Sequence, residues 1–293
     1  MTGHGNVNKR TDRLATLLLW VSGSAILLIL LCFLGYMLLK GLPVLVKPGF
    51  LFGMPSDIRA GGGVGPELFN SFYILFLSLL VSIPISVGAG IYLSEYAGNN
   101  RLTDIVRLST ESLATVPSIV LGLFGMIVFV NYFGFGFSVI GGALSLSLLN
   151  IPVLVRVTEE TLRTVPNSYR EASLALGATK WQTIWNVVLP NALPGISTGI
   201  TLTAGRALGE TAILIFTAGT SVSRAFPDFD LFAAGETLAV HLWYVNAIGL
   251  VSDKTQIANG IGALLILVIL IFNLAFGLPI RYFHQKALRG SGH

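Results

Sequence analysis

Two charged side chains stand four residues apart in an otherwise apolar stretch, Arg206 and Glu210 within RALGETAILIFTAG. On a continuous helix that spacing puts both on one face, about 6 Å apart along the axis. A guanidinium presents a planar fork of donors that suits oxyanions, and a neighbouring carboxylate limits how tightly such an anion is held. Two uses of the pair stand side by side. It is either an internal ion pair that lowers the cost of charge in apolar surroundings and pins helix packing, or a positive station on an oxyanion path, with Glu210 positioning Arg206. Other chemistry is poorly provided for. No Gly-Lys dipeptide occurs, so a Walker-type phosphate loop is absent. No pair among His4, His241, His284 and His293 has metal-ligand spacing. Cys32 stands alone in an apolar run, which excludes an internal disulfide or a thiolate cluster. His241, within ETLAVHLWYVN, reads as part of a short amphipathic helix with a structural role. No catalytic residue, metal or cofactor is expected in this chain.

The elements that must position the pair are apolar to an extent that excludes a water-soluble enzyme. Of 293 residues, 53% are hydrophobic and 11% charged, against roughly a quarter charged in soluble domains; the mean hydropathy is +0.77. The net charge of +4 comes from 18 basic and 14 acidic residues without a dense basic face, which argues against nucleic acid as a partner. A membrane helix needs roughly 20 mostly apolar residues. Stretches free of Asp, Glu, Lys and Arg cover Leu14 to Leu39, Leu68 to Ser94 and Ser112 to Val155. The third is too long for one helix and divides at Gly134-Phe135-Gly136. Gly195 to Gly219 is apolar apart from Arg206 and Glu210, and Thr255 to Ile280 follows. The fold expected is all-α, with six membrane spans in one domain, 14-293, after a short N-terminal segment, 1-13.

An intramembrane cation such as Arg206 costs about 2.5 to 3.5 kcal/mol on insertion scales and is expected to face the bundle interior. Gly205 with Gly209, and Gly195 with Gly199, have the small-xxx-small spacing that permits close helix approach. Alternate connections differ in charge: one set carries twelve Lys and Arg, from the N-terminus, the loops around Arg107 and Arg163, and the tail, and the other carries five. The positive-inside rule then places both termini and the 156-194 loop in the cytoplasm. The first span is too long for a secretory h-region and has no Ala-x-Ala site, so it reads as an uncleaved helix.

The 156-194 loop contains YREASLALGATKWQTIWNVVLPNALPGI. Pro166, Asn167 and Ser168 supply a helix start and Gly177 a break. From Thr179 a second stretch carries Trp181, Ile184, Trp185 and Val188 at spacings of three and four, and Pro190 and Pro194 are expected to end it. Taken alone, this describes an interfacial helix-turn-helix.

Glu171, Ala172, Gly177, Leu189 and Pro190 fall on the spacing Glu-Ala-Ala, three residues, Gly, nine residues, Ile, one residue, Leu-Pro, with Ser173 and Val187 as small departures. In this the chain resembles the permease subunits of bacterial ATP-driven (ABC) importers, and the strings Ile91 to Ala97, Glu111 to Gly125 and Arg206 to Gly219 are similar to phosphate permeases of the PstA type. The resemblance implies the type I importer permease fold in a bacterial inner membrane. It also implies a coupling loop that includes Arg170, Glu171, Ala172, Gly177, Ala178, Leu189 and Pro190 and docks on an ATPase. The implied partners are a second related permease, two ATPase subunits that hydrolyse ATP, and an extracytoplasmic phosphate-binding protein. A permease of the same fold for another oxyanion or small solute is the nearest alternative. A channel has no use for a coupling loop, and a membrane-embedded enzyme would need a polar cluster beyond Arg206 and Glu210.

Overall fold

The computed structural model describes the backbone of residues 9-56, 60-98, 100-223 and 225-290, and side chains over 11-56, 60-98, 100-223 and 225-277. The terminal histidines and Arg59, Arg224, Arg281, Lys286 and Arg289 of the charge comparison lie outside the described side chains. Among the described residues the regular secondary structure is helical, apart from a single antiparallel bridge between Val222 and Gly235.

Eleven α-helices follow in order among the described residues. α1 is Lys9–Leu45, α2 Gly65–Ile91, α3 Arg101–Ala114, α4 Ser118–Gly125 and α5 Val139–Thr164. α6 is Asn167–Ala175, α7 Lys180–Thr183, α8 Leu189–Leu208, α9 Ala212–Thr217, α10 Leu238–Ala247 and α11 Lys254–Gly290. Wider π-type turns extend α2 over Tyr92–Tyr96 and α4 over Met126–Tyr132, and a third, Ile184–Val188, joins α7 to α8. Among the described residues five helical stretches are long and apolar enough to cross a membrane: Thr11–Leu45, Gly65–Tyr96, Val139–Thr164, Lys180–Leu208 and Lys254–Gly277. A sixth span arises if α3 and Ser118–Tyr132 are taken together, bent by 98°.

Three details depart from the pattern read in the sequence. The third span does not begin at Ser112. Thr115-Val116-Pro117 turns the chain, because proline disfavours helix for the residue before it and cannot donate to one, and Ser112 to Ala114 complete the preceding amphipathic helix. The turn at Gly134-Phe135-Gly136 is present, with φ of +69° and +67° at its glycines. Pro190 and Pro194 do not end the second loop helix, which continues from Lys180 to Leu208. The wide turn at Ile184–Val188 leads into Leu189-Pro190, where the proline ring would otherwise meet the carbonyl one turn back. Lastly, the fifth span is broken at Gly209-Glu210-Thr211 rather than running on to Gly219.

α5 is the centre of the bundle, packed along α2 and against α8 and α9. Small residues allow close approach: a methyl group at Gly90 would meet Thr158 Cγ2 at 2.6 Å, and Gly195 and Gly199 lie against Thr161 and Val157. Dense contact of this kind holds helices together where lipid gives no hydrophobic drive. Ile74, Leu146, Leu208, Ile213 and Leu214 fill the middle, and Ile91, Leu162, Val165, Ile184, Val188 and Ile196 fill the end that carries α6 and α7. α1 packs on α11, with Gly41 against Asn259 and Ala263.

Candidate functional site

α6 and α7 form a short hairpin that projects from the end of the bundle. Gly177 turns the chain between them at φ +82°, with open space around the position a Cβ would take. Thr179 accepts from the Gln182 amide while the Gln182 side chain accepts from the Thr179 amide, a reciprocal cap that starts α7. Ser173 and Thr183 hydroxyls meet at 2.9 Å across the hairpin. Ile184 and Val188 are buried in the bundle end, so only half of the apolar stripe faces inward. Trp181 and Trp185 stay outside, more than half exposed and stacked 5.8 Å apart. Glu171, Ala172 and Gly177 are exposed as well, Ala178 and Leu189 are half-buried, and Leu176 is 89% exposed.

Arg170 has a different place. Its guanidinium binds both oxygens of Glu95, Nη2 to Oε1 at 2.7 Å and Nε to Oε2 at 3.2 Å. It also donates to the carbonyl oxygens of Leu162 and Val165, at 2.9 and 2.6 Å. It therefore satisfies the open C-terminal end of α5 while tying α6 to the end of the α2 span.

The structure corrects the expected geometry of Arg206 and Glu210. Arg206 lies in the last turn of α8, but Glu210 lies past the helix end. No ion pair or hydrogen bond joins them, and Glu210 Oε1 instead accepts from the Ile213 amide at 3.4 Å. Gly209 has left the helix, so the spacing of four no longer stacks the two side chains. Arg206 is exposed on the surface of the chain rather than turned into its interior. Its depth is fixed by the antiparallel packing of α8 on α5: Gly195 lies against Thr161 and Gly199 against Val157. Continuing that register sets Arg206 level with Asn150, close to the midpoint of Val139–Thr164. Gly205 packs closely, against Asn273, whereas Gly209 meets only its own helix.

A polar cluster that no sequence spacing announced lies at the opposite end of the bundle. Glu67 in the first turn of α2, Glu236 and His241 in the first turn of α10 are all buried, and their ligand-type atoms lie within 4.8 Å of one another. His241 Nδ1 is 3.1 Å from Glu236 Oε1 and 3.6 Å from Glu67 Oε1. α10 is the short helix expected around His241, and the histidine is built into the bundle's packing. One further string, Gly195-Ile196-Ser197-Thr198-Gly199, has the letters of a nucleophile elbow. It lies inside α8 without the strand-to-helix turn such a nucleophile needs.

Residues 83-289 match the family of binding-protein-dependent transport system inner membrane components. The chain belongs to that family. This permease is 45% identical over 277 residues to the probable ABC transporter permease protein YqgI of Bacillus subtilis, covering 91% of this chain and 94% of the relative. It is 36% identical over 245 residues to the phosphate transport system permease protein PstA of Haemophilus influenzae, covering 83% and 85%. Among solved structures, the inward-facing MetNI methionine ABC transporter superposes with a TM-score of 0.59 at 22% identity, over 75% of this chain and 94% of that one. A bacterial ABC transporter for alginate gives the same score at 14% identity over 93% and 98%. These likenesses establish the importer-permease fold. Members of the family are membrane permease subunits rather than enzymes, and ATP hydrolysis belongs to a separate subunit.

Two groups in the permease escaped the sequence reading. Glu95 and Glu67 both flank the second apolar stretch and look like ordinary boundary charges; one closes on Arg170 and the other on His241. Their partners are 75 and 174 positions away in the chain. No local pattern carries such pairings, although a carboxylate at each end of one span was a visible starting point.

Proposed function

We propose that this permease forms half of the translocation pathway of an ATP-driven phosphate importer, with both termini on the cytoplasmic side. The single observation behind this reading is the position of Arg206. A cation on the outside of the chain at mid-depth of the bundle is costly against lipid, so this face is one that a second permease covers, enclosing a polar path between the two. Arg206 then supplies positive potential to an anion crossing that path. The PstA relatives support phosphate as that anion, and the excess of Lys and Arg on the hairpin side supports the orientation.

The hairpin of α6 and α7 acts as the coupling element. Its exposed face, with Glu171, Leu176, Trp181 and Trp185, docks on an ATPase subunit, and the second permease brings its own. Two links carry motion inward. The Arg170 and Glu95 clamp moves α2 with the hairpin, and the unbroken helix from Lys180 to Leu208 spans roughly 40 Å up to Arg206. Closure of the ATPases therefore shifts Arg206 itself. A phosphate-binding protein delivers substrate at the opposite face.

The test is uptake of labelled phosphate by liposomes holding this permease with its partner subunits. ATP-dependent uptake that resists competition by sulfate and disappears in Arg206→Ala is the expected result. Selective transport of a different solute would assign the same fold to another substrate and overturn the reading.

A further inference from the structure

We infer that Glu67, Glu236 and His241 form a binding site for a divalent transition-metal cation such as Zn²⁺, which ties α10 and the segment before it to the start of α2. The three residues offer two carboxylate oxygens and one imidazole nitrogen within 4.8 Å, each side chain buried. A divalent cation offsets both carboxylates, while a neutral imidazole contributes a lone pair. Oxygen and nitrogen donors of this kind suit zinc, which takes Asp, Glu and His as ligands in fourfold sites.

The backbone around the site is held independently of any ion. Asn70 Nδ2 donates to the Glu236 carbonyl at 3.1 Å, and the Leu238 amide donates to Ser71 Oγ at 2.9 Å. Ser71 Oγ in turn donates to the Glu67 carbonyl at 2.7 Å. The His241 ring lies nearly parallel to Tyr244, 6.3 Å away. These bonds fix the backbone that carries Glu67 and Glu236, and so the position from which their carboxylates reach the cluster. A cavity of about 70 Å³ lined by Ser56, Gly62, Gly63, His241 and Tyr244 lies beside the cluster, on its His241 side.

The experiment uses the full-length permease, purified with the subunits that accompany it, stripped with EDTA and freed of any affinity tag. Titration with Zn²⁺ alone should show one tight site per permease chain, and binding should raise the melting temperature by mass action. Glu236→Gln and His241→Gln should each weaken that site by tenfold or more. The triple variant Glu67→Gln, Glu236→Gln, His241→Gln keeps His4, His284, His293 and Cys32; Zn²⁺ binding equal to wild type in that variant overturns the proposal, as does wild-type protein that takes up none. If the variants fail to fold, X-ray absorption on zinc-loaded wild type decides. A shell of light donors with a single imidazole supports the site, and a sulfur-containing or all-oxygen shell overturns it.

Discussion

Arg170 and Glu95 meet through two charge-assisted hydrogen bonds, at 2.7 and 3.2 Å, with 82% of one side chain and 93% of the other withdrawn from solvent. The contact joins the first helix of the hairpin to the end of the α2 span, and the remaining arginine donors close the C-terminus of α5. The residue that stands beside Glu171 in the loop thus serves as an anchor for the loop, while its neighbours form the outer surface.

Glu95→Ala should loosen that anchor. Removing one partner of a largely buried pair costs about 3 kcal/mol, which corresponds to roughly a hundredfold rise in local opening. Hydrogen exchange of the Asn167 to Ala175 amides reports it directly. Unchanged exchange in Glu95→Ala would show that the carboxylate is not what holds the hairpin, leaving the Arg170 bonds to the Leu162 and Val165 carbonyls and the burial of Ile184 and Val188.

Gly177→Val tests the turn. Because no atom lies within 4 Å of the missing Cβ, its cost is conformational, about 1 to 2 kcal/mol or more for a branched residue at positive φ. Membrane insertion should be normal while substrate uptake and its coupling to ATP hydrolysis fall sharply. Gly177→Asn, which tolerates this conformation better, should retain more activity than Gly177→Val. Equal uptake by all three proteins at matched expression would separate the hairpin from coupling.

Gly90→Leu probes the packing of α2 on α5. A methyl group alone would reach Thr158 at 2.6 Å, and a side chain of this size forces the helices apart, with an expected loss of about 1 to 3 kcal/mol. The melting temperature of the purified protein should drop, whereas Gly88→Leu, at a position with open space, should leave it nearly unchanged. Equal melting temperatures for both would show that the close approach is dispensable.

How much of this was legible follows from the range of the signals. Apolar stretches gave the spans, and the glycines at 134, 136 and 177 gave the turns, because each depends on a few adjacent residues. The loop helices were readable down to the start of the second at Thr179, though not the reciprocal cap with Gln182 that fixes it. The ends of the third and fifth spans were not, since Pro117 ends a helix where Pro190 and Pro194 are absorbed into one. The difference lies in the widened turn at Ile184–Val188, which is set by burial of Ile184 and Val188 against Leu162 and Ile196. The assumption of a continuous helix through Gly209 had the largest consequence, because it brought Glu210 onto the Arg206 face.

That break also changes what charge exchange at these positions measures. On a continuous helix, Arg206→Glu with Glu210→Arg would restore a structural pair and separate the two uses considered for it. Here the two side chains make no ion pair; Arg206 sits in the last turn of α8 and Glu210 accepts from the Ile213 amide at the start of α9. The exchange therefore removes the carboxylate from that amide and places a negative charge on the proposed anion path, so the doubly exchanged protein should be inactive under either use. The single changes are the informative ones. Arg206 is exposed and unpaired, so Arg206→Ala should leave the melting temperature within about 2 °C while uptake is lost, and Arg206→Lys should keep part of it because charge is preserved and the donor fork is not. Glu210→Gln retains an oxygen for the Ile213 amide and should keep the fold, with substrate held more tightly and released more slowly if the carboxylate weakens anion binding. Wild-type uptake in Arg206→Ala, at matched expression and with partners present, would remove Arg206 from the pathway.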